Sequence, residues 1–298
     1  MEKILHAYPS HKQARLLAEG RPTIWRYVAE AVTSRGWQFQ IHHEDDRPGT
    51  TDLPGYHLLQ NQPITAARCL NLRNAYLDPF WRIEPGNDRW HFAVAAARFD
   101  PATIPEPAAT AFVQRWRQTL FGDTRVTRQG HIFMPLQGRL SERRSFQSHS
   151  PLDMIRTTLA QDAARPIIAT LHPREVYSDA ERSALSDLQQ QNPRFRVQEG
   201  GSIDLLLSAD YVVSENSGLV MQGYFAGKPA VLFADIDFHH IAGSVSALGP
   251  KAAFASTALP RPFDRYVTWF FRRNCLQAFG SLTQGRIVAR LQELGWPI

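Results

Sequence analysis

The second half of the chain alternates short apolar runs with amphipathic segments, and this regularity limits the folds open to it. The apolar runs have the length of buried strands and cover residues 131–136, 166–171, 194–198, 211–213 and 229–233. Helical patterns lie between them at 150–164, 178–191, 203–208 and 218–226. Strands joined through one helix run parallel with right-handed crossovers. We therefore predict a doubly wound, Rossmann-like α/β lobe, in which ligands bind beyond the carboxyl ends of the strands.

Capping residues mark the first two of these helices. Ser150 precedes Pro151, which is a typical pair at a helix start. For the second helix the cap is predicted to be Ser178 or Asp179.

The length of 298 residues favours two lobes. A helical pattern at 108–121 ends before Gly122, and we place the boundary there. The predicted domains are an N-terminal lobe of residues 1–121 and a C-terminal lobe of residues 122–298.

The remaining segments are predicted from weaker patterns. The first lobe has a helical pattern at 22–35 and a loop-like stretch at 43–54, and we expect it to be a second α/β lobe. Residues 263–279 and 283–294 are predicted as helices that return to the first lobe, and an exposed aromatic face on the former could contact a membrane. The predicted fold is α/β, with two Rossmann-like lobes, parallel sheets and a cleft between them.

Composition and charge narrow the classes of function. No apolar run approaches the roughly 18 residues of a membrane span, and no secretory signal is visible, so we expect a cytoplasmic protein. Cys69 and Cys275 stand far apart, which excludes a disulfide framework and a cysteine zinc site. The net charge of +5 is concentrated in the arginines of 125–144. Such a patch fits a phosphorylated small molecule or an anionic lipid, whereas the interleaved aromatics typical of nucleic-acid binding are missing.

Polar residues follow the predicted strand 211–213 and lead directly into a helix. The segment contains Ser214, Glu215, Asn216, Ser217 and Gly218. Asn216 or Ser217 could cap the helix, and the exposed backbone N–H groups of the helix start could hold a phosphate. The alternative is an ordinary helix cap without a ligand.

His172, Pro173 and Arg174 follow the strand 166–171. Proline restricts the backbone here, so the imidazole is presented in a set direction. His172 could donate a hydrogen bond to a phosphate or protonate a leaving group, and Arg174 would add a cation. The alternative is a histidine on the surface or capped within the core.

Gln137, Gly138 and Arg139 follow the strand 131–136. Glycine permits the close approach of a ligand, and Arg139, Arg143 or Arg144 could neutralise a phosphate. The alternative is a solvated arginine face. Because no Asp-x-Asp, Gly-x-Gly-x-x-Gly or Walker motif is present, we predict that no metal and no cofactor other than the donor substrate is used.

Four ordered motifs within residues 128–240 resemble those of the bacterial capsule polysaccharide synthesis proteins. This family includes β-Kdo transferases, and the bacterial sialyltransferases with an HP motif are similar. The motifs are Met134-Pro135-Leu136-Gln137, Leu171-His172-Pro173, the run from Ala209 to Gly218, and Ala226-Gly227-Lys228-Pro229.

The resemblance implies a GT-B fold and a CMP-activated acidic sugar, such as Kdo, as donor. It implies that His172 and the Ser217 region bind the donor phosphate, and that the N-terminal lobe supplies a catalytic carboxylate and binds the acceptor. Asp78 or Glu84 could be that nucleophile or base. The alternative is that Glu84 pairs with Arg82 or Arg89.

The favoured function is therefore a metal-independent glycosyltransferase acting on a capsule or surface glycan or glycolipid. Its partners would be a nucleotide sugar and that acceptor, with peripheral contact to the inner membrane and no nucleic acid. Two alternatives remain open. One is a non-catalytic binding module of a polysaccharide assembly complex, and the other is a GT-B-like nucleotide-sugar epimerase.

Overall fold

The computed structural model describes residues 2–46, 53–64 and 66–298 of the chain. Its strands are β1 (Ile4–Tyr8), β2 (Gln38–Ile41), β3 (Tyr56–Gln60), β4 (Cys69–Asn74), β5 (Phe80–Glu84), β6 (Ile132–Pro135), β7 (Ile167–Thr170), β8 (Phe195–Gln198), β9 (Tyr211–Ser214), β10 (Ala230–Leu232), β11 (Gly243–Ser244) and β12 (Leu276–Gln277). Its α-helices are α1 (His11–Ala18), α2 (Ile24–Thr33), α3 (Ala93–Ala96), α4 (Glu106–Phe121), α5 (Pro151–Gln161), α6 (Asp179–Gln191), α7 (Ser202–Ser208), α8 (Leu219–Phe225), α9 (Val245–Ala255), α10 (Phe263–Thr268) and α11 (Thr283–Glu293). Of the predicted loop at 43–54, residues 47–52 lie outside the described residues.

The chain divides into two compact units. Unit 1 consists of Met1–Ala97 and Phe270–Ile298, and unit 2 is Arg98–Trp269. These bounds differ from the predicted ones because α4 packs against α8 and α10, so that residues 98–121 belong to unit 2. The last residues, with β12 and α11, belong to unit 1.

The sheet of unit 2 has the predicted parallel arrangement. Its strand order is β11-β10-β9-β6-β7-β8, and each neighbouring pair is parallel. Every side chain of β6, β7, β9 and β10 is buried. The strand order reverses beside β6, because the chain first adds β7 and β8 on one side and then β9 and β10 on the other. In an open α/β sheet such a reversal is where ligands bind.

Capping explains why the helices of unit 2 begin where they were predicted to begin. Ser150 accepts a hydrogen bond from the N–H of Asp153 and starts α5. Ser178 caps α6, and its own N–H donates to Glu181 Oε2 over 2.8 Å, which completes a capping box. Between Ser178 and Asp179, the structure therefore selects Ser178 as the cap.

Unit 1 is also an α/β unit, as predicted, but its sheet is mixed. The strand order is β12-β5-β4-β3-β1-β2, in which β1 to β4 run parallel and β5 and β12 pair antiparallel. Only residues 75–79 connect β4 to β5, and a parallel crossover needs about a dozen residues or more, so β5 must return antiparallel. Helices α2 and α11 cover this sheet with apolar side chains.

The predicted helix at 263–279 is wrong. α10 ends at Thr268, a π-helical turn covers Trp269–Arg273, and β12 then pairs with β5 through Leu276 opposite Trp81. The aromatic spacing that favoured a long helix reflects burial, since Tyr266, Trp269 and Phe270 are buried. These rings therefore do not form the exposed aromatic face considered for membrane contact.

The second C-terminal helix is confirmed as α11. Among the described helices, none combines the length and the apolar character that crossing a bilayer requires.

Histidine rings from β1, β3 and the end of β2 meet inside unit 1. The ring of His57 stacks on that of His6, with 4.8 Å between centroids, and His57 Nδ1 lies 3.2 Å from the hydroxyl of Tyr8. His6 Nδ1 lies 2.8 Å from His42 Nε2. Burial, assisted by His6, lowers the pKa of His57 to about 4, and burial also lowers the pKa of His42. The native state therefore holds His57 neutral.

The histidine cluster predicts a loss of stability in mild acid. Between the unfolded-state value near 6.5 and the native value of about 4, the unfolded chain binds the His57 proton and the native chain does not, so the contribution of His57 to stability falls as pH falls through this range. The largest effect is about 3 kcal/mol, because each pKa unit corresponds to about 1.4 kcal/mol. We expect His57→Gln to reduce this fall in urea unfolding measured from pH 7 to pH 4. The exposed His91 provides the control variant His91→Gln, and equal pH profiles for the two variants would contradict the prediction.

Candidate functional site

The three predicted polar clusters lie at the carboxyl edge of the unit 2 sheet. They follow β6, β7 and β9, which are neighbours in the sheet. The loop after β6 contacts both others. A β-carbon at Gly138 would lie 2.3 Å from Oε2 of Glu175 in the loop after β7, and Arg144 and Gln147 reach Glu215 after β9. The convergence that was predicted from the strand ends is confirmed.

Residues 136–150, which we call the edge loop, are fixed along the carboxyl edge by backbone hydrogen bonds. The N–H of Ser148 donates to the carbonyl of Phe233 over 2.7 Å, and the N–H of Asp235 donates to the carbonyl of Phe146 over 2.8 Å. The N–H of Leu140 donates to Glu181 Oε1 over 2.5 Å. These bonds hold the edge loop to β10 on one side and to α6 on the other.

Glu215 is a buried carboxyl group beneath the edge loop. Its side chain is 2% exposed, and Gln147 Nε2 donates a hydrogen bond to its Oε1. The same amide accepts from the N–H of Arg144 through its Oε1, over 2.6 Å. Burial raises the pKa of Glu215 to about 7, although Arg144 and the hydrogen bond from Gln147 oppose this shift. Near neutral pH the group is therefore poised between its two protonation states.

Polar atoms around Glu215 are buried without a hydrogen-bond partner among the described residues. They are Nε and Nη2 of Arg144, Oε2 of Glu215 and Oδ1 of Asn216. Arg144 Nη2 lies 3.6 Å from Glu215 Oε2, which is too long for a hydrogen bond, and the guanidinium packs on the ring of Phe146. The Arg144 side chain is half-buried, and a guanidinium with N–H groups that no described residue accepts is suited to a bound phosphate or carboxylate.

His172 presents one ring nitrogen as a donor. The N–H of Arg174 donates to His172 Nδ1 over 3.2 Å, so Nδ1 acts as acceptor and the neutral ring carries its proton on Nε2. The N–H of His172 in turn donates to the hydroxyl of Tyr177 over 2.8 Å. Nε2 makes no hydrogen bond within the described part of the chain, and the residue is half-buried. The Nε2–H group is therefore available to a ligand.

The N-cap residue of α8 is Gly218, and no side chain caps this helix, so neither of the two predicted caps, Asn216 and Ser217, occupies that position. The hydroxyl of Ser217, one residue earlier, accepts from the N–H of Leu219 over 3.3 Å. Ser214, the last residue of β9, accepts from the N–H of Ser217 over 3.2 Å. These bonds fix the turn that carries Asn216.

Other predicted residues lie at the same edge but in different surroundings. Gly138 is approached by the carboxylate of Glu175, so its lack of a side chain accommodates a protein group. Arg139 is exposed, has a φ of 61° and pairs with Glu142 over 3.4 Å. Gln137 is half-buried, whereas Pro173 and Arg174 are exposed.

The sequence did not lead us to predict that Gln147 and Glu175 lie at this edge, or that Glu215 is a buried carboxyl group. Glu215 directly follows a buried strand, and that position could have identified it. No local sequence pattern identifies Gln147 or Glu175.

Asp78 and Glu84, the two candidate catalytic carboxylates, stand in different places in unit 1. Glu84 is buried and accepts hydrogen bonds from Arg290 Nη2 over 2.9 Å and from the N–H of Ala93 over 3.2 Å. It pairs with Asn71 near the start of β4, away from the carboxyl edge. Asp78 is exposed in the turn after β4, at the carboxyl edge, where Asn74 Nδ2 donates to it over 2.8 Å. Of the two, only Asp78 lies at the carboxyl edge.

A cavity of about 320 Å³ lies beside Glu84 in unit 1. Its charged lining includes Arg82, Arg273, Arg286, Arg290 and Glu293. Glu84 forms an ion pair with Arg290 over 2.9 Å.

Lys228, in the last of the four motifs, is a structural residue. It is buried, and its Nζ donates to the carbonyl oxygens of Thr127 and, over 2.6 Å, of Ala209. Burial lowers its pKa to about 8. This motif therefore supports the sheet and does not contribute a ligand-binding cation.

Comparison with known proteins gives a match at the level of fold. No protein-family profile matches the chain, and no curated protein sequence matches it. Among solved structures, KpsC from Thermosulfurimonas dismutans, described as a β-Kdo 2,7 transferase, has a TM-score of 0.52 at 13% identity and covers 99% of this chain and 100% of that one. In fold, the chain is similar to a β-Kdo transferase. The resemblance stated from the motifs is thus confirmed for the architecture.

Two further structures are similar to a lesser degree. A β-Kdo 2,4 transferase KpsC of the same organism has a TM-score of 0.47 at 10% identity, over 90% of each chain. MnaA of S. aureus, determined with UDP, has a TM-score of 0.38 at 10% identity, over 99% of this chain and 97% of that one.

The buried carboxyl group predicts a second effect of pH on stability. Because the native pKa of Glu215 is about 7 and its ordinary value is 4.5, the native state binds this proton more tightly, and the contribution of Glu215 to stability falls as pH rises from about 4.5 to about 7. The replacement Glu215→Gln keeps an acceptor for Gln147 and removes the titration. We expect the unfolding free energy of this variant, relative to the wild type, to rise by about 3 kcal/mol at most between pH 5 and pH 8. The exposed Glu142→Gln variant is the control, and a pH-independent difference for Glu215→Gln would contradict the assignment.

Proposed function

We propose that the chain is a glycosyltransferase whose unit 2 binds the phosphate of a nucleotide-activated sugar. The observation that supports this most directly is that two buried N–H groups of Arg144, at Nε and Nη2, have no hydrogen-bond partner among the described residues at the strand-order reversal. The free Nε2–H of His172 lies at the same edge. A phosphate would satisfy the donors of both side chains.

In the proposed reaction, the largest development of charge occurs on the donor phosphate. The bond between the anomeric carbon and the phosphate oxygen breaks, the acceptor hydroxyl oxygen bonds to that carbon, and the hydroxyl proton passes to a base. The nucleotide leaves as an anion, and positioned donors such as Arg144 and His172 stabilise the charge that develops on it. Protein cations in this role are consistent with a metal-independent transfer.

The donor and the acceptor follow from the resemblance. We propose a CMP-linked acidic sugar, such as Kdo, as donor and a glycan or glycolipid of a bacterial capsule or cell surface as acceptor. The base or nucleophile is assigned to Asp78 in preference to Glu84, because Glu84 is engaged by Arg290. Unit 1 would then bind the acceptor.

Nucleotide binding is predicted to be selective and to depend on Arg144. A ligand at about 100 times its Kd stabilises the native state by about 2.7 kcal/mol. We expect CMP to raise the Tm more than UDP, GDP or ADP at equal concentration, and we expect Arg144→Gln to abolish most of that rise. The exposed Arg156 of α5 provides the control Arg156→Gln, which should respond like the wild type. Equal responses of the two variants would count against this phosphate site.

His172 is predicted to support turnover. The loss of one donor to a developing anion typically slows a reaction by about 100-fold or more. We expect His172→Ala to reduce CMP release from CMP-Kdo in the presence of acceptor by about that factor, with the exposed His91→Ala as control. An unchanged rate would remove His172 from the site. Conversion of the donor to an isomer without acceptor would indicate an epimerase, and failure to consume any donor would indicate a binding module.

A further inference from the structure

His11 and the segment His43–Asp45 lie side by side at the carboxyl edge of the unit 1 sheet. β1 and β2 pair in parallel, with Ala7 opposite Ile41, and the N–H of His42 continues the pairing by donating to the carbonyl of Ala7 over 2.8 Å. The chain after β1 enters α1 at His11. The parallel register therefore brings these two loops together.

The side chains of His11, His43 and Asp45 converge on one point. A donor atom from each of the three lies within 4.8 Å of the others. Asp45 Oδ2 is 3.2 Å from His43 Nδ1 and 4.0 Å from His11 Nε2, and the two imidazole centroids are 4.5 Å apart. Ligand atoms about 2.0–2.1 Å from a tetrahedral ion are about 3.3 Å from one another. Small rotations of these exposed side chains would bring all three to that spacing.

Glu44 adds a second carboxylate to the cluster. Its Oε1 lies 2.8 Å from His11 Nε2, and its Oε2 accepts from the N–H of His11 over 3.1 Å. Gln62 Nε2 donates to the carbonyl oxygen of Glu44 over 2.6 Å, which ties the loop to the segment after β3. Two carboxylates and two neutral imidazoles would balance the charge of a divalent cation.

We propose that His11, His43 and Asp45, with Glu44 as a fourth ligand or as the partner that orients His11, bind a transition-metal ion such as Zn²⁺. Mixed imidazole and carboxylate ligands select such ions, whereas Mg²⁺ and Ca²⁺ prefer oxygen ligands alone. None of these residues belongs to the phosphate site of unit 2. The metal site therefore shares no residue with the proposed donor-phosphate site.

Calorimetric titration of the full, untagged chain with ZnCl₂, after treatment with a chelator, tests the proposal. We expect one Zn²⁺ to bind per chain and no comparable binding of MgCl₂. Loss of an outer-shell partner alone typically weakens metal binding 10- to 100-fold, so His11→Ala and His43→Ala should each weaken Zn²⁺ binding about tenfold or more. Because both side chains are exposed, these variants should keep the wild-type Tm.

The control variant is His91→Ala. His91 is exposed in unit 1 and lies 4.0 Å from Asp88, so it reproduces a surface histidine–carboxylate pair outside the cluster. Its Zn²⁺ affinity should equal that of the wild type. Co²⁺ provides a second readout, since a four-coordinate Co²⁺ complex absorbs strongly in the visible range and the two ligand variants should lose this band. Zn²⁺ binding that is absent, or that is equally strong in His11→Ala, His43→Ala and His91→Ala, would overturn the proposal.

Discussion

The complete burial of the central strands of unit 2 is the constraint on which its chemistry depends. In β6, β7, β9 and β10 every side chain is buried, and the polar ones, Thr170 and Ser214, are the last residues of their strands. A polar side chain further inside would lose water without gaining a partner. Polar groups are therefore confined to the ends of these strands and to the loops beyond them, and in an open α/β sheet ligands bind at the carboxyl edge. The reversal of strand order beside β6 sets which of those loops face one another.

At this edge the edge loop covers the carboxyl group of Glu215 and removes it from water. Removing a charge from water is costly unless it is paired and hydrogen-bonded, and Glu215 has one hydrogen bond and a guanidinium beyond hydrogen-bond distance. The raised pKa of Glu215 is the physical consequence of that incomplete compensation. When Glu215 is protonated, the charge of Arg144 is left for another anion. The burial of Glu215 thus has two consequences. It lowers the free energy of unfolding at higher pH, and it leaves the positive charge of Arg144 available to a ligand.

The parts of the structure that could be predicted from the sequence are those that local interactions determine. Ser150 and Ser178 cap their helices through residues three positions away, and the alternation of strands with helices sets a parallel sheet. The strand ends also indicated which loops would meet. Spacing alone could not reveal that the aromatic segment after Phe263 breaks at Thr268, because the residues that follow the break form β12, which pairs with the distant β5. Nor could it pair Glu84 with Arg290, which lies 206 positions away.

The most direct test of the phosphate site is a crystal structure of the chain with CMP bound. We predict that the CMP phosphate lies at the carboxyl edge of the unit 2 sheet, with its oxygens about 2.7–3.2 Å from Arg144 Nη2 and His172 Nε2. A nucleotide bound elsewhere, or a phosphate that contacts neither side chain, would contradict it.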